Sequence, residues 1–333
     1  MCSERCGREL GYLMAALLAA RDIGKTYSSH GYAVPALTDV NLCLSEGDVL
    51  AVLGENGAGK STLMHILTGR MKQDKGSLEF RGSTLVGEKQ LACFRSCVGM
   101  ASQENTLDRR LTVEENLQFY ARYFGLERHE VASRTDVALQ DLGLVDRRKA
   151  PVYTLSPGQV KQLMVERALI TSPEILFLDE PTTSVDPSTR EWMLGRIRTS
   201  ITASCSAVLS THNMSDVSRL ASHVLVLSGG RVVAFGSIQE LVDHFGGYPC
   251  VTFRGLGGSN DLLDELTSQG AISGLVRTDD LGVARLQGHS DVLGSILSKS
   301  DVSWEVSSSG IEGAVLYLIA SSRASRRRES SWR

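Results

Sequence analysis

No apolar run in the 333 residues approaches the roughly 20 needed to cross a bilayer, so the chain is not itself a membrane channel. Cysteine pairing is equally thin. The seven cysteines, Cys2, Cys6, Cys43, Cys93, Cys97, Cys205 and Cys250, include no CxxC pair, and an odd count makes a poor disulfide framework. They read as reduced thiols of a cytosolic protein. Neither sign of charge is in excess. With 22% charged residues and a net charge of −3, the chain has no general attraction for nucleic acid or an anionic membrane, which leaves any such role to a local patch. The length suggests about two domains, at roughly 100 to 200 residues each.

The most specific stretch present is Gly54-Glu55-Asn56-Gly57-Ala58-Gly59-Lys60-Ser61-Thr62, preceded by the apolar run Val49 to Leu53 and followed by a helix-like segment. The spacing G-x-x-x-x-G-K-S reads as a phosphate-binding loop. Its glycines let the backbone wrap phosphate oxygens at a helix N-terminus, where unpaired N–H groups and the helix dipole favour negative charge. Lys60 is expected to reach the β- and γ-phosphates, Ser61 to ligate Mg²⁺ through its hydroxyl, and Thr62 to add a hydrogen bond to phosphate. Nucleoside triphosphate binding follows. It also argues against reading Leu10 to Ala20 as a secretory signal, because a nucleotide hydrolase outside the cell would lack substrate. Leu17 to Ile23 is read instead as a first strand, with residues 1–13 as a disordered extension and Met14 as an alternative start.

Strand-like runs at 17–23 and 39–44 flank the polar turn Ser28-Ser29-His30-Gly31 and suggest a small β-layer, with further strands at 76–82 and 98–101. Helical periodicity takes over from Thr112 to Leu144: Thr112 with Glu115 makes a capping box, and Gly143 ends a second helix. Leu155-Ser156-Pro157-Gly158-Gln159 opens another amphipathic helix that stops before Pro173. Two apolar strands then end in polar groups, one in Asp179-Glu180 and one in His212, at the carboxyl ends where α/β sheets place their ligands. A hairpin, 224–227 with 231–234, follows. Such alternation indicates a mainly parallel α/β core. Beyond a break at Gly246-Gly247-Tyr248-Pro249, strand 250–254, helix 259–268, strands 272–277 and 282–286, helix 290–299 and strand 302–306 give the β-α-β-β-α-β order of a ferredoxin-like unit. A last helix spans 311–321. The Arg-rich end, 323–333, is expected to be disordered.

Taken in order, the phosphate loop, Gln103, Leu155 to Gln159, Asp179-Glu180, Ser184-Val185-Asp186 and His212 resemble the motif set of ABC-type ATPases, over roughly residues 15–245. The resemblance implies an α/β fold: a P-loop ABC ATPase with a mainly parallel core sheet, an antiparallel β layer and a helical subdomain. That domain spans 14–246, with its helical insert at about 104–172. A small α+β, ferredoxin-like C-terminal domain over 247–322 and a basic tail over 323–333 follow. ATP and Mg²⁺ are the implied cofactors. Two such domains pack head to tail in this family, each ATP lying between one phosphate loop and the other domain's signature, so a homodimer or heterodimer is required.

The same resemblance assigns roles. Tyr27 stacks on adenine, its alternative being a plain surface tyrosine. Gly54, Glu55, Asn56, Gly57, Ala58, Gly59, Lys60, Ser61 and Thr62 cradle the phosphates. Ser61, Gln103 and Asp179 serve Mg²⁺, Glu180 is the general base on the attacking water, and His212 contacts the γ-phosphate. Ser156, Gly158, Gln159 and Asp186 belong to the composite site. Pro157 departs from the family's Leu-Ser-Gly-Gly-Gln. As first residue of a helix capped by Ser156 it gives up only an N–H that is unpaired anyway, although losing one phosphate donor costs about 1 to 3 kcal/mol.

Asn116 to Leu126 resembles the matching segment of type-2 exporter ATPase subunits, which often carry a C-terminal extension of this size. The implied protein sits at the cytoplasmic face of a membrane. There it drives a separately encoded integral membrane permease that exports a drug, lipid or polysaccharide, with no nucleic-acid partner. Two other readings stand beside it. One is a soluble ABC ATPase acting on ribosomes or DNA, against which only about 95 residues separate Lys60 from Leu155. The other is a regulatory ATP-binding module that hydrolyses weakly because of Pro157.

Overall fold

A computed structural model describes residues 16–29, 32–245, 249–254, 260–277, 281–287, 302–307 and 310–330. The chain divides into two compact units, Met1–His223 with Gly229–Arg231, and Val224–Ser228 with Val232–Arg333.

In the first unit, β1 (Leu18–Ser29) pairs antiparallel with β2 (Tyr32–Leu44), from Leu18 opposite Leu44 to Ser29 opposite Tyr32. Both strands outrun the apolar pattern, at 12 and 13 residues, because their exposed ends stay paired, Tyr27 with Val34 and Ser28 with Ala33. The register slips between Ala20 and Thr26, where Asp22 takes φ 51° and, across the pair, Asp39 takes φ 50°. β3 (Val49–Gly54) delivers the chain to α1 (Lys60–Leu67). β4 (Lys75–Phe80) pairs with β1 and the short β5 (Ser83–Thr84) with β4, completing the antiparallel layer in the order β2-β1-β4-β5.

α2 (Glu88–Ser96) leads into β6 (Val98–Ala101), and the helical insert follows as α3 (Val113–Tyr123), α4 (Arg128–Asp141) and two 3₁₀ turns. Then comes α5 (Pro157–Leu169). Reciprocal capping boxes fix two of these helix starts, Thr112 with Glu115 and Ser156 with Gln159, the second with Pro157 at the first helical position. The sheet resumes with β7 (Ile175–Asp179), α6 (Pro187–Ser200), β8 (Ser206–Ser210) and α7 (Met214–Leu220). Parallel pairing places β3, β8, β7 and β6 side by side in that order. Every residue of β7 and β8 is buried, which explains their unbroken apolar runs. Leu176 and Leu178 of the sheet pack in one cluster with Leu163, Met164 and Ala168 of α5 and with Met193 and Ile197 of α6. Gly99 brings α5 directly onto β6, since an added Cβ would lie 2.2 Å from the Ala168 carbonyl oxygen. Because these strands are parallel, Gly54, Asp179 and Ser210 end on one edge, where such sheets hold ligands.

In the second unit, β9 (His223–Ser228) and β10 (Arg231–Ser237) are joined through Gly229 and Gly230, and α8 (Ile238–Phe245) follows. β11 (Cys250–Arg254), α9 (Asn260–Ser268), β12 (Ile272–Arg277), β13 (Leu281–Leu286) and β14 (Ser303–Val306) build a sheet of order β12-β13-β11-β14. Every neighbour in it is antiparallel, the arrangement of a split βαβ unit. Val251, Phe253 and Ala284 cluster with Leu263 and Leu266 of α9, while Cys250 and Val283 pack against Tyr317 and Ala320 of α10 (Ile311–Ser330). The helix expected at 290–299 lies outside the described residues, as do residues 1–13. α10 does not end near 321: with no Gly or Pro in Ser321 to Ser330, nothing stops it, and residues 323–330 are helical rather than a disordered tail. Among the described residues, no helix is long and apolar enough to cross a membrane.

Candidate active site

Three glycines shape the phosphate loop, Gly54 at φ 153°, Gly57 at 78° and Gly59 at 103°. At Gly59 space is short as well, for a Cβ would lie 2.7 Å from the Ala36 carbonyl oxygen and 2.8 Å from Leu37 Cδ2. α1 starts at the next residue, so its unpaired N–H groups face the loop. Lys60 is buried there, its Nζ donating to the carbonyl oxygens of Gly54 at 2.8 Å and Glu55 at 3.1 Å. Tyr27, on β1, places its hydroxyl 3.4 Å from Thr62 Oγ1 and donates to Met71 Sδ, so the ring stands beside the loop helix.

The end of β7 supplies the carboxylates. Asp179 is buried and accepts from the Ser210 hydroxyl at the end of β8. Glu180 leaves the strand in the left-handed region, φ 50°, an uncommon state for a non-glycine residue that the surroundings must hold in place. Its N–H donates to the Ser210 carbonyl at 3.0 Å. The turn aims the side chain at His212, whose Nδ1 lies 2.7 Å from Glu180 Oε2, and the Thr183 hydroxyl donates to the same oxygen at 2.6 Å. Glu180 is buried, whereas the His212 side chain is 65% exposed, so the carboxylate is fixed from inside while the imidazole stays open to a ligand. Behind them the Thr182 hydroxyl and the Arg190 guanidinium both donate to Asp216, on α7.

At the signature, Ser156 Oγ accepts from the Gln159 N–H at 3.2 Å and Gln159 Oε1 accepts from the Ser156 N–H at 3.1 Å. Asp186 caps α6 through the N–H groups of Ser188 and Thr189. The hydroxyls of Ser188 and Thr189, with the Thr189 N–H, hold its carboxyl well below the usual range. Gly158 lies against this cap, as a Cβ there would be 2.9 Å from Thr189 Oγ1 and 3.4 Å from Asp186 Oδ2. Gln103 is exposed on the segment after β6, and its carbonyl accepts from Lys161 Nζ at 3.1 Å.

Lys60 is thus joined to the loop carbonyls, Asp179 to Ser210, Glu180 to His212, and Gly158 to Asp186. Ser210, Lys161 and the Arg190–Asp216 pair are further neighbours of these residues that the motifs did not announce. Only Ser210 carried a signal, its place at the carboxyl end of an apolar strand.

The ABC transporter family pattern matches residues 37–183. A Nod factor export ATP-binding protein I from Cupriavidus metallidurans is 35% identical over 230 residues, covering 69% of this chain and 74% of that protein. The chain belongs to the ABC transporter family. The protein of the same name from Rhizobium etli is 34% identical over 245 residues, covering 74% of this chain and 75% of that one. Among solved structures, an ATP-binding subunit of an ABC transporter superposes with a TM-score of 0.63 at 27% identity, covering 76% of this chain and 98% of that chain. A dimeric ATP-binding cassette in a post-hydrolysis state, bound to ADP and Pi, shares the fold at a TM-score of 0.61 and 23% identity, covering 66% of this chain and 98% of that one. As a member of this family the chain is an ATP-binding ATPase, and the resemblance read from its motifs holds.

Proposed function

We propose that the chain is the ATP-hydrolysing subunit of an ABC exporter, working at the cytoplasmic face of a membrane against a separately encoded permease that moves a drug, lipid or polysaccharide. The likeness to export ATP-binding proteins over 74% and 75% of their lengths carries this reading. A groove of about 590 Å³ in the first unit, lined by Arg70, Arg95, Tyr120, Tyr123 and Phe124, offers aromatic and cationic surface to a helix of that permease. The domain over 247–322 serves regulation or dimer contact.

In this reading Lys60 and the loop N–H groups hold the phosphates, and Tyr27 offers its ring to adenine. A hydroxyl, an amide and a buried carboxylate suit a hard cation, so Ser61, Gln103 and Asp179 would hold Mg²⁺, which neutralises phosphate charge when bound. Glu180, oriented by Thr183 and His212, takes the proton of the attacking water, and His212 presents its open edge to the γ-phosphate. Ser156, Gly158, Gln159 and Asp186 complete the site of a second copy or a related subunit. ATP favours the closed dimer, and loss of the γ-phosphate reopens it.

Glu180→Gln tests the assignment, since the amide keeps the shape without the basicity. The variant should bind ATP and run as a dimer on size-exclusion chromatography with ATP and Mg²⁺, while turnover drops by at least about a hundredfold. A variant that stays monomeric at saturating ATP refutes the head-to-tail site. Co-purification of the wild-type chain with a multi-span membrane protein tests the coupling.

A further inference from the structure

Two cations of α5 converge on one short segment. Lys161, half-buried, donates from Nζ to the Gln103 carbonyl at 3.1 Å. Burial pushes its ammonium below the usual lysine range, and the charges of Asp179 and Glu180, its acidic neighbours, pull it back up. Arg167 is 8% exposed. One Nη donates to the Thr106 carbonyl at 2.8 Å, the other to the Thr106 hydroxyl, and the guanidinium stands 5.0 Å from the centre of the Tyr120 ring. Among the described residues its Nε has no hydrogen-bond partner and no carboxylate is paired with it. Burial holds its pKa down, and nearby Arg70 adds to the effect.

A buried cation without a counter-charge does little for stability, because desolvation is costly and an apolar side chain of similar volume packs as well. The hydrogen bonds of both cations go instead to the two ends of the segment that carries Gln103 from β6 toward the helical insert.

We infer that Lys161 and Arg167 are positioning residues that clamp the Gln103–Thr106 segment to α5, so that Gln103 is held at a fixed place relative to the signature at the head of α5 and to Asp179 and Glu180. The clamp is a property of the fold; its consequence for turnover rests on the ATPase assignments proposed above. Tyr120, which packs on Arg167, also lines the groove offered to the permease, so a helix seated there bears on the same clamp.

Lys161→Met and Arg167→Met remove the charges at similar volume. Hydrogen–deuterium exchange over residues 100–110 of the full-length protein reads the clamp directly, and steady-state ATPase kinetics read its consequence. Exchange of this peptide should be at least about fivefold faster in each variant, with the rest of the first unit unchanged. kcat should fall about tenfold while KM for ATP stays within about twofold, and Lys161→Arg should return kcat to within about threefold of wild type. Unchanged exchange in both variants overturns the clamp, whatever the ATPase shows. Faster exchange with unchanged kcat overturns the positioning role. If the wild-type chain turns over no ATP, the exchange measurement still decides the clamp, and the failure belongs to the ATPase roles.

Discussion

Arg190→Met should strike both the stability of the first unit and its carboxylate edge. Asp216 has a side chain only 1% exposed, and Arg190 reaches it with two N–H groups at 2.9 and 2.6 Å on one oxygen while the Thr182 hydroxyl donates to the other. Removing the guanidinium strands a carboxylate out of water. Breaking a buried pair in this way costs about 3 to 5 kcal/mol, and because the Arg190 side chain is itself 26% exposed, the lower end applies. At a urea m-value of about 3 kcal/mol/M, that is a midpoint lowered by about 1 M. Far-UV circular dichroism in urea measures it. The double variant Arg190→Met with Asp216→Leu, which removes both charges, should recover most of the loss. A single variant within about 0.5 kcal/mol of wild type, or a double variant no better than the single, refutes the account. Since Thr182 lies two residues past Glu180 and Asp216 four past His212, the single variant should also lower kcat more than it raises KM.

Pro157→Gly should change turnover by no more than about tenfold, because Pro157 sits at the first position of α5 where no intrahelical donor is lost; Ser156→Ala should hurt more, removing a hydroxyl and about 1 kcal/mol of capping. ATPase rates of the two variants side by side decide it, and reversal of that order would count against the geometry. Ser184 holds φ 61°, so Ser184→Gly should relieve about 1 to 2 kcal/mol of backbone strain, partly offset by unfolded-state entropy, and raise the melting temperature in calorimetry. The depressed carboxyl of Asp186 contributes stability that is present above the usual aspartate pKa of about 3.9 and is lost as pH falls below it. Asp186→Asn, which still caps but does not titrate there, should flatten the acid limb of a plot of urea midpoint against pH between about 5 and 2.

Local signals carried far in this chain. The strand–loop–helix around Lys60, the Thr112–Glu115 capping box, the apolar runs of β7 and β8 and the individual strands of the second unit all depend on residues close in sequence, where periodicity and turn chemistry act. The missing features join distant positions. Ser210 meets Asp179 across two neighbouring strands, and Arg190 meets Asp216 only because α6 and α7 pack together. Backbone state was equally hidden: nothing in Asp179-Glu180-Pro181 announces that Glu180 turns left-handed, yet that turn aims its carboxylate at His212. β1 and β2 ran longer than expected because pairing partners, rather than apolar residues, sustain their outer ends. α10 ran longer because charge alone does not stop a helix.

Gly57 and Gly99 are needed for different reasons, and selection should treat them differently. Gly57, at φ 78° with open space where a Cβ would stand, is needed for its backbone angle, so asparagine is its mildest replacement and bulk matters little. Gly99 has no such angle; it is needed because the Ala168 carbonyl occupies the place of its Cβ. In a saturation library its tolerance profile should be flat, alanine being nearly as poor as tryptophan, while flanking Val98 and Met100 show the graded preference of ordinary core positions. The seam between β6 and α5 is therefore backbone against backbone, a joint whose fit the chain cannot retune by repacking side chains, and any divergence among descendants of this sequence has to be built around it.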